Sequence, residues 1–246
     1  MRSRRFILPI GILLFGISSA FAQRPQQRAQ AGPAQTQAQP QAQARPAPEP
    51  PPLFFKEAWK TTPQGGQHPV TPDSLASPNL ELKLYGDGQN ILMNERNPPL
   101  HLFTGACETN CAVAFREKNN YVDLTGHARI RWVTRTSGFH FVHPIVKLAD
   151  GTWLVGDYSD GSNGYTRDYH TSEFFLDEVH WIKLDMGRIV TRGEFVDHPN
   201  LSKVDEIGFT DLMPGSGMGL GGFTCLGAIE VYGKPVPRDA VQTSAN

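Results

Sequence analysis

The stretch Ala128-Arg129-Ile130-Arg131-Trp132-Val133-Thr134 decides the fold class. In an extended chain, successive side chains point to opposite faces. Ala128, Ile130 and Trp132 therefore share one face, and Arg129 and Arg131 take the other. A helix would spread the same residues around its circumference. The stretch predicts a half-buried strand, with Trp132 in the core and the arginines outside.

Working outward, comparable runs of β-branched and aromatic residues recur at short spacing. They predict strands at 80–85, 100–104, 112–116, 128–134, 141–148, 153–157, 169–174, 181–185, 206–211 and 228–232. Clusters of Gly, Asn, Asp and Pro separate them, and no stretch keeps an amphipathic helical pattern beyond two turns. The 21 glycines between residues 53 and 237 agree with many turns. This pattern predicts an all-β chain folded as a single β-sandwich or jelly roll.

The first 22 residues combine a basic start at Arg2, Arg4 and Arg5, an apolar run from Phe6 to Phe15, and Ala20-Phe21-Ala22. That is the pattern of a cleavable signal peptide, too short for a membrane span of about 20 apolar residues. In residues 23–52, 24 of 30 positions are Gln, Ala or Pro. Such a segment buries too little apolar surface to offset its ordering entropy, so it reads as a disordered, extended linker. The expected order is a signal peptide at 1–22, the linker at 23–52, the sandwich at 53–237 and a disordered tail at 238–246. The expected location is secreted or periplasmic, with no integral membrane span after cleavage.

Within 53–237 there are 16 basic and 22 acidic residues. A mildly acidic domain is a poor partner for nucleic acid, whose binding relies on clustered Lys and Arg. Three cysteines, Cys107, Cys111 and Cys225, would meet an oxidising compartment. Cys107 and Cys111 bracket Glu108-Thr109-Asn110, which reads as a hairpin turn that brings them together as a disulfide. A bridge from Cys225 to either of them, or no bridge at all, are the alternatives.

Val122-Asp123-Leu124-Thr125 leading into Ala128–Trp132, and the closing run Ile229-Glu230-Val231-Tyr232-Gly233, resemble galactose-binding-like β-sandwich domains. The block from Val204 to Leu212 also resembles a group of uncharacterised exported bacterial proteins. The likeness spans roughly residues 80–236. It implies a jelly roll, frequent carbohydrate binding and a structural calcium.

Several motifs bear on chemistry. Gly217-Met218-Gly219-Leu220-Gly221-Gly222 matches a dinucleotide-binding pattern but lacks the following helix, so it reads as a Gly-rich loop. His140 and His143, three apart on a strand, would diverge rather than chelate. No G-x-S-x-G elbow is present. The oxygen-rich loop 157–164 departs from an EF-hand, yet Asp157, Asp160 and Asn163 are candidate ligands for a structural calcium. Beyond that, no cofactor is expected.

The candidate ligand site is aromatic and polar: Trp153, Tyr158, Tyr165 and Tyr169, with Arg131 and His143, placed at one end of the sandwich. Aromatic faces stack on sugar C–H groups while charged side chains bond the hydroxyls. The leading expectation is an exported, non-catalytic domain that binds carbohydrate or scaffolds an envelope protein. The alternatives are a glycoside hydrolase-like enzyme using paired carboxylates, and a structural envelope protein.

Overall fold

The computed structural model describes residues 49–108, 111–138, 140–160, 168–186, 193–211 and 222–238. Among them are sixteen strands and two short 3-10 turns, at Pro72–Ser74 and Asp87–Asn90. The strands are β1 Leu53–Glu57, β2 Gln67–Pro69, β3 Leu80–Gly86, β4 Leu92–Asn94, β5 His101–Phe103, β6 Cys111–Glu117, β7 Asn120–Asp123 and β8 Arg129–Ser137. They continue as β9 Val142–Leu148, β10 Trp153–Gly156, β11 His170–Phe175, β12 Trp181–Lys183, β13 Phe195–Val196, β14 Val204–Asp211, β15 Phe223–Tyr232 and β16 Lys234–Pro237. All ten predicted strands are present. The other six are short or carry Pro, Asn and charged residues, which weaken an alternation signal. No helix of the described residues is long and apolar enough to cross a membrane.

The strands form a β-sandwich of two antiparallel sheets. One has seven strands in the order β11-β8-β15-β5-β4-β2, with β1 also on β15. The other has nine in the order β13-β12-β10-β9-β14-β6-β3, with β7 and β16 attached through β14. Their inner faces share one apolar core that includes Phe55, Trp59, Phe115, Ile130, Trp132, Val146, Leu154, Ile207 and Ile229. Each fully buried aliphatic or aromatic side chain there contributes about 1.5–3 kcal/mol of transfer free energy. Trp132 is 0 % exposed, in the register the alternation predicts.

Local details position the faces. Ile130, Trp132, Thr134 and Thr136 point inward along β8, and Val231, Ile229, Leu226 and Thr224 face them along β15. A bulge between Leu226 and Ala228 keeps both Leu226 and Ile229 inward, as one extra residue must in a period-2 strand. Gly208 in β14 has no alternative: a Cβ there would lie 1.8 Å from the Val113 carbonyl oxygen of β6. Glu57, fully buried at the end of β1, accepts four backbone N–H bonds, from Ala58, Trp59, Ala76 and Ser77. This ties β1 to the segment after the first 3-10 turn.

The structure joins Cys107 to Cys111, with Cα atoms 6.3 Å apart, and leaves Cys225 as a free, buried thiol. The hairpin expected around the bridge is overturned. Cys107 follows β5 of the seven-stranded sheet and Cys111 opens β6 of the nine-stranded sheet. The bridge therefore clips a crossing between sheets rather than a turn within one. Two short apolar runs joined by a few residues look alike in both cases, because sheet membership is set by pairing partners distant in sequence.

Candidate functional site

The residues singled out from sequence do not gather at one end. Trp153 opens β10 on the outer face of the nine-stranded sheet. There its ring meets Tyr85 of β3 edge-on at 4.9 Å, and Lys147 Nζ sits 5.5 Å from its centroid. Tyr85 donates its hydroxyl to Glu206 at 2.7 Å. Burial and that carboxylate push the phenol well above its ordinary pKa. His143 shares this face and donates Nδ1–H to the Gly156 carbonyl at 3.2 Å. Burial pushes its pKa down. Tyr158 stacks on Phe174 at 3.8 Å and approaches Trp132. Arg131 and Tyr169 belong to the outer side of the other sheet, where Arg131 pairs with Glu230 at 3.6 Å. Tyr165 and Asn163 lie outside the described residues.

The calcium expectation meets a full donor set. Asp160 accepts from Trp132 Nε1 at 3.0 Å, Thr134 Oγ1 at 2.5 Å, Ser172 Oγ at 3.0 Å and His170 Nε2 at 2.6 Å. Three of these donors meet Oδ2 and one meets Oδ1, so the carboxylate is already engaged within the protein. Asp157 accepts instead from the backbone N–H of His180 at 2.9 Å and its Nδ1 at 2.8 Å. No cluster of three or more His, Cys, Asp or Glu side chains among the described residues could hold a metal ion.

What the structure does build is a pair of clefts around the turn from β11 to β12. Alternation along β11 sends Phe174 inward and Phe175 outward, and Phe175 is one of three exposed large apolar side chains among the described residues. The chain then turns through Asp177 and Glu178, with Leu176 N–H bonded to the Ala128 carbonyl and Glu178 N–H to that of Phe175. His180 and Trp181 follow. The two-residue edge strand β13 pairs with β12, setting Val196 beside Trp181 and Phe195 beside Ile182. Phe195 is 62 % exposed, and its ring meets that of His180 edge-on at 6.3 Å.

The larger-walled cleft measures about 450 Å³, with an apolar floor of Leu124, Leu176, Trp181 and Leu201 and a rim that includes Phe195, His180, Asp177 and Asp197. Trp181 is 2 % exposed, yet its indole Nε1–H has no hydrogen-bond partner. A second cleft of about 470 Å³ shares Val179 with the first and is lined by Tyr158, Phe175 and the acids Asp157, Glu173 and Glu178. Both volumes fall in the range of small-ligand sites, about 300–1,000 Å³. Apolar walls, acceptor carboxylates and one unspent N–H suit a neutral, hydroxyl-rich ligand. Sequence reasoning passed over Phe175 and Phe195. The available signals were the doubled Phe in β11, only one of which a strand can bury, and an isolated Phe195 among Glu194, Asp197 and His198.

No protein-family model matches the sequence, and no curated protein matches it. Among solved structures, the family 11 carbohydrate-binding module of the cellulosomal cellulase Lic26A-Cel5E of Clostridium thermocellum is similar at 12% identity, covering 76% of this chain and 97% of that one, with a TM-score of 0.37. The agarase AgWH50C is similar at 11% identity over 70% of this chain, with a TM-score of 0.39. PfGH50B is similar at 12% identity over 65% of this chain, with a TM-score of 0.37. The chain spans about a quarter of the length of the last two, 25% and 24%. The sandwich assignment rests on the strand pairing itself.

Proposed function

We propose that this chain is an exported, non-catalytic module that binds neutral glycan chains at the clefts around the β11 to β12 turn. The observation that carries the reading is Phe195, an aromatic ring left 62 % exposed at the rim of a concavity that is also lined by Trp181, whose buried N–H has no partner. A sugar ring answers both features at once. Its C–H face covers the aromatic ring, and a hydroxyl oxygen accepts the N–H that otherwise stays unsatisfied. The remaining hydroxyls donate to Asp177 and Asp197 on the rim. A leader at residues 1–22 and the Gln/Ala/Pro-rich linker at 23–52 would deliver the module beyond the cytoplasm and hold it on a tether.

The test is a glycan array and a pull-down with insoluble neutral polysaccharides. Phe195→Ala is expected to lower affinity at least about tenfold while changing stability by less than about 0.5 kcal/mol, since the ring is mostly in water. The double variant Trp153→Ala with Tyr85→Ala, outside the lining of both clefts, should leave binding intact. Absence of binding to every glycan tried, or binding indifferent to Phe195→Ala, would return weight to a protein-scaffolding role.

A further inference from the structure

The outer side of the seven-stranded sheet carries a second cluster, at the opposite end of β11 from Phe175. Arg135 of β8 lies between two aromatic rings, with its guanidinium carbon 4.9 Å from the Tyr169 centroid and 5.0 Å from that of Phe223. Its one hydrogen-bond acceptor among the described residues is the Sγ of Cys225, at 3.6 Å. A thiol sulfur is a weak acceptor, and the Arg135 Nε is buried with no partner. Among the described residues, no carboxylate pairs with Arg135. Arg131, four residues earlier on the same face, has Glu230.

Two more polar groups stand beside it. His101 of β5 is 2 % exposed, and its ring lies 5.5 Å from that of Tyr169. Its Nδ1 lies 2.8 Å from the Pro99 carbonyl oxygen. A carbonyl only accepts, so Nδ1 carries the proton and Nε2 presents a lone pair. That Nε2 has no partner, and the Tyr169 hydroxyl has only the weakly bonding Cys225 thiol beside it. Burial, with the nearby charge of Arg135, lowers the His101 pKa and keeps the ring in this neutral form. The cluster thus offers a cationic fork with idle N–H groups, a lone-pair acceptor that wants a hydroxyl, and a phenol able to do either. Phe103 and Phe223, with ring centroids 5.4 Å apart, supply apolar flanks.

We infer that Arg135, His101 and Tyr169 form a subsite for an oxyanion carried on a hydroxylated ring, as in a uronate or a sulfated sugar. A carboxylate or sulfate matches the guanidinium fork in two parallel N–H···O bonds, which an ammonium cannot supply. A ring hydroxyl beside the anion donates to His101 Nε2. The Arg135 side chain is only half-buried, so its outer edge can meet a ligand from solvent. The acid-rimmed clefts at the β11 to β12 turn would repel the same ligand. The two sites therefore divide charged from neutral sugars, and this one does not depend on the glycan reading of the clefts.

The experiment titrates the full chain with galacturonate, galactose 6-sulfate and galactose, followed by calorimetry and by amide chemical shifts of β8 and β15. At least one of the two anionic sugars is expected to bind, with galactose failing to perturb these strands. The preference between the two separates a carboxylate source from a sulfate source. Arg135→Gln should lower the affinity for the anionic sugar at least about tenfold, the scale of a lost charge-assisted pair. Arg135→Lys should lower it too while keeping the charge, and Tyr169→Phe should do so by less. These milder variants carry the test if Arg135→Gln does not fold. Phe195→Ala should leave anionic binding unchanged, which separates failure here from failure of the cleft. The inference is overturned if neither anionic sugar binds, or if binding is unaltered by both Arg135→Lys and Tyr169→Phe.

Discussion

Along β8 the inward row changes character half-way. Ile130 and Trp132 pack among Phe174, Ile229 and Val231, whereas Thr134 and Thr136 continue the same row with hydroxyls. β15 repeats the change from Val231, Ile229 and Leu226 to Thr224, and β14 from Ile207 and Phe209 to Asp211. The polar end is organised by two carboxylates that flank Val142 in the sheet register, Asp160 and Asp211. Each meets a histidine at 2.6 Å, His170 for Asp160 and His140 for Asp211. Asp211 also accepts from Thr224 at 3.1 Å. Apolar packing loses stability roughly in proportion to the area removed. A buried polar network fails differently, because deleting one member leaves its partners unsatisfied.

The largest expected effect tests that difference directly. Asp160→Ala strips the acceptor from four donors and should cost about 4 kcal/mol in urea unfolding, in the range seen when one member of a buried charged network is removed. Leu226→Ala, one step along the apolar row, should cost about 3 kcal/mol. A smaller loss for Asp160→Ala than for Leu226→Ala would break the comparison.

Next in size is the disulfide. Cys111 pairs in register with Asp211, so the bridge closes the polar end. Reducing it should cost about 2 kcal/mol, the loop-closure value for so short a ring. Amide exchange should then speed up around Thr104 and Thr224 while Ile207 at the apolar end keeps its protection. Uniform acceleration would show that the bridge supports both ends alike.

The smallest effect separates the two ends of β14 by pH. Asp205, at the start of the strand, is pushed up by burial but held below the ordinary carboxylate pKa by hydrogen bonds from Arg116 and Arg238. A depressed folded pKa stabilises the protein above the unfolded value of about 4, and the contribution disappears as pH falls through the folded value. Asp205→Asn should therefore flatten the acid limb of a stability titration below about pH 4, by about 1 kcal/mol, with little change at neutral pH beyond the loss of the pair. An unaltered acid limb would place the acid sensitivity at the polar end instead.

The outcome for the candidate site follows from the same physics. Trp153, Tyr158 and Tyr169 look equivalent in sequence, as aromatics in and beside loops. Pairing sends Trp153 to one outer face, Tyr169 to the other and Tyr158 against Phe174. Asp160 sits in an oxygen-rich loop that suits calcium, yet it folds back onto donors from β8 and β11. None of those partners lies nearby in the chain.

What the sequence by itself determined is whatever a strand decides locally. Period-2 alternation named the ten principal strands, put Trp132 inside, and sent Arg129 and Arg131 outside, because side-chain direction in an extended chain depends only on the residue's own position. What only the tertiary structure decided is which strands are neighbours. That choice made the Cys107–Cys111 bridge a crossing between sheets, gave Arg131 an acid that Arg135 lacks among the described residues, and set exposed Phe195 at the rim of a cleft that Trp181 also lines. Each of these is a relation between side chains far apart in the chain, and short-range patterning carries no record of the partner.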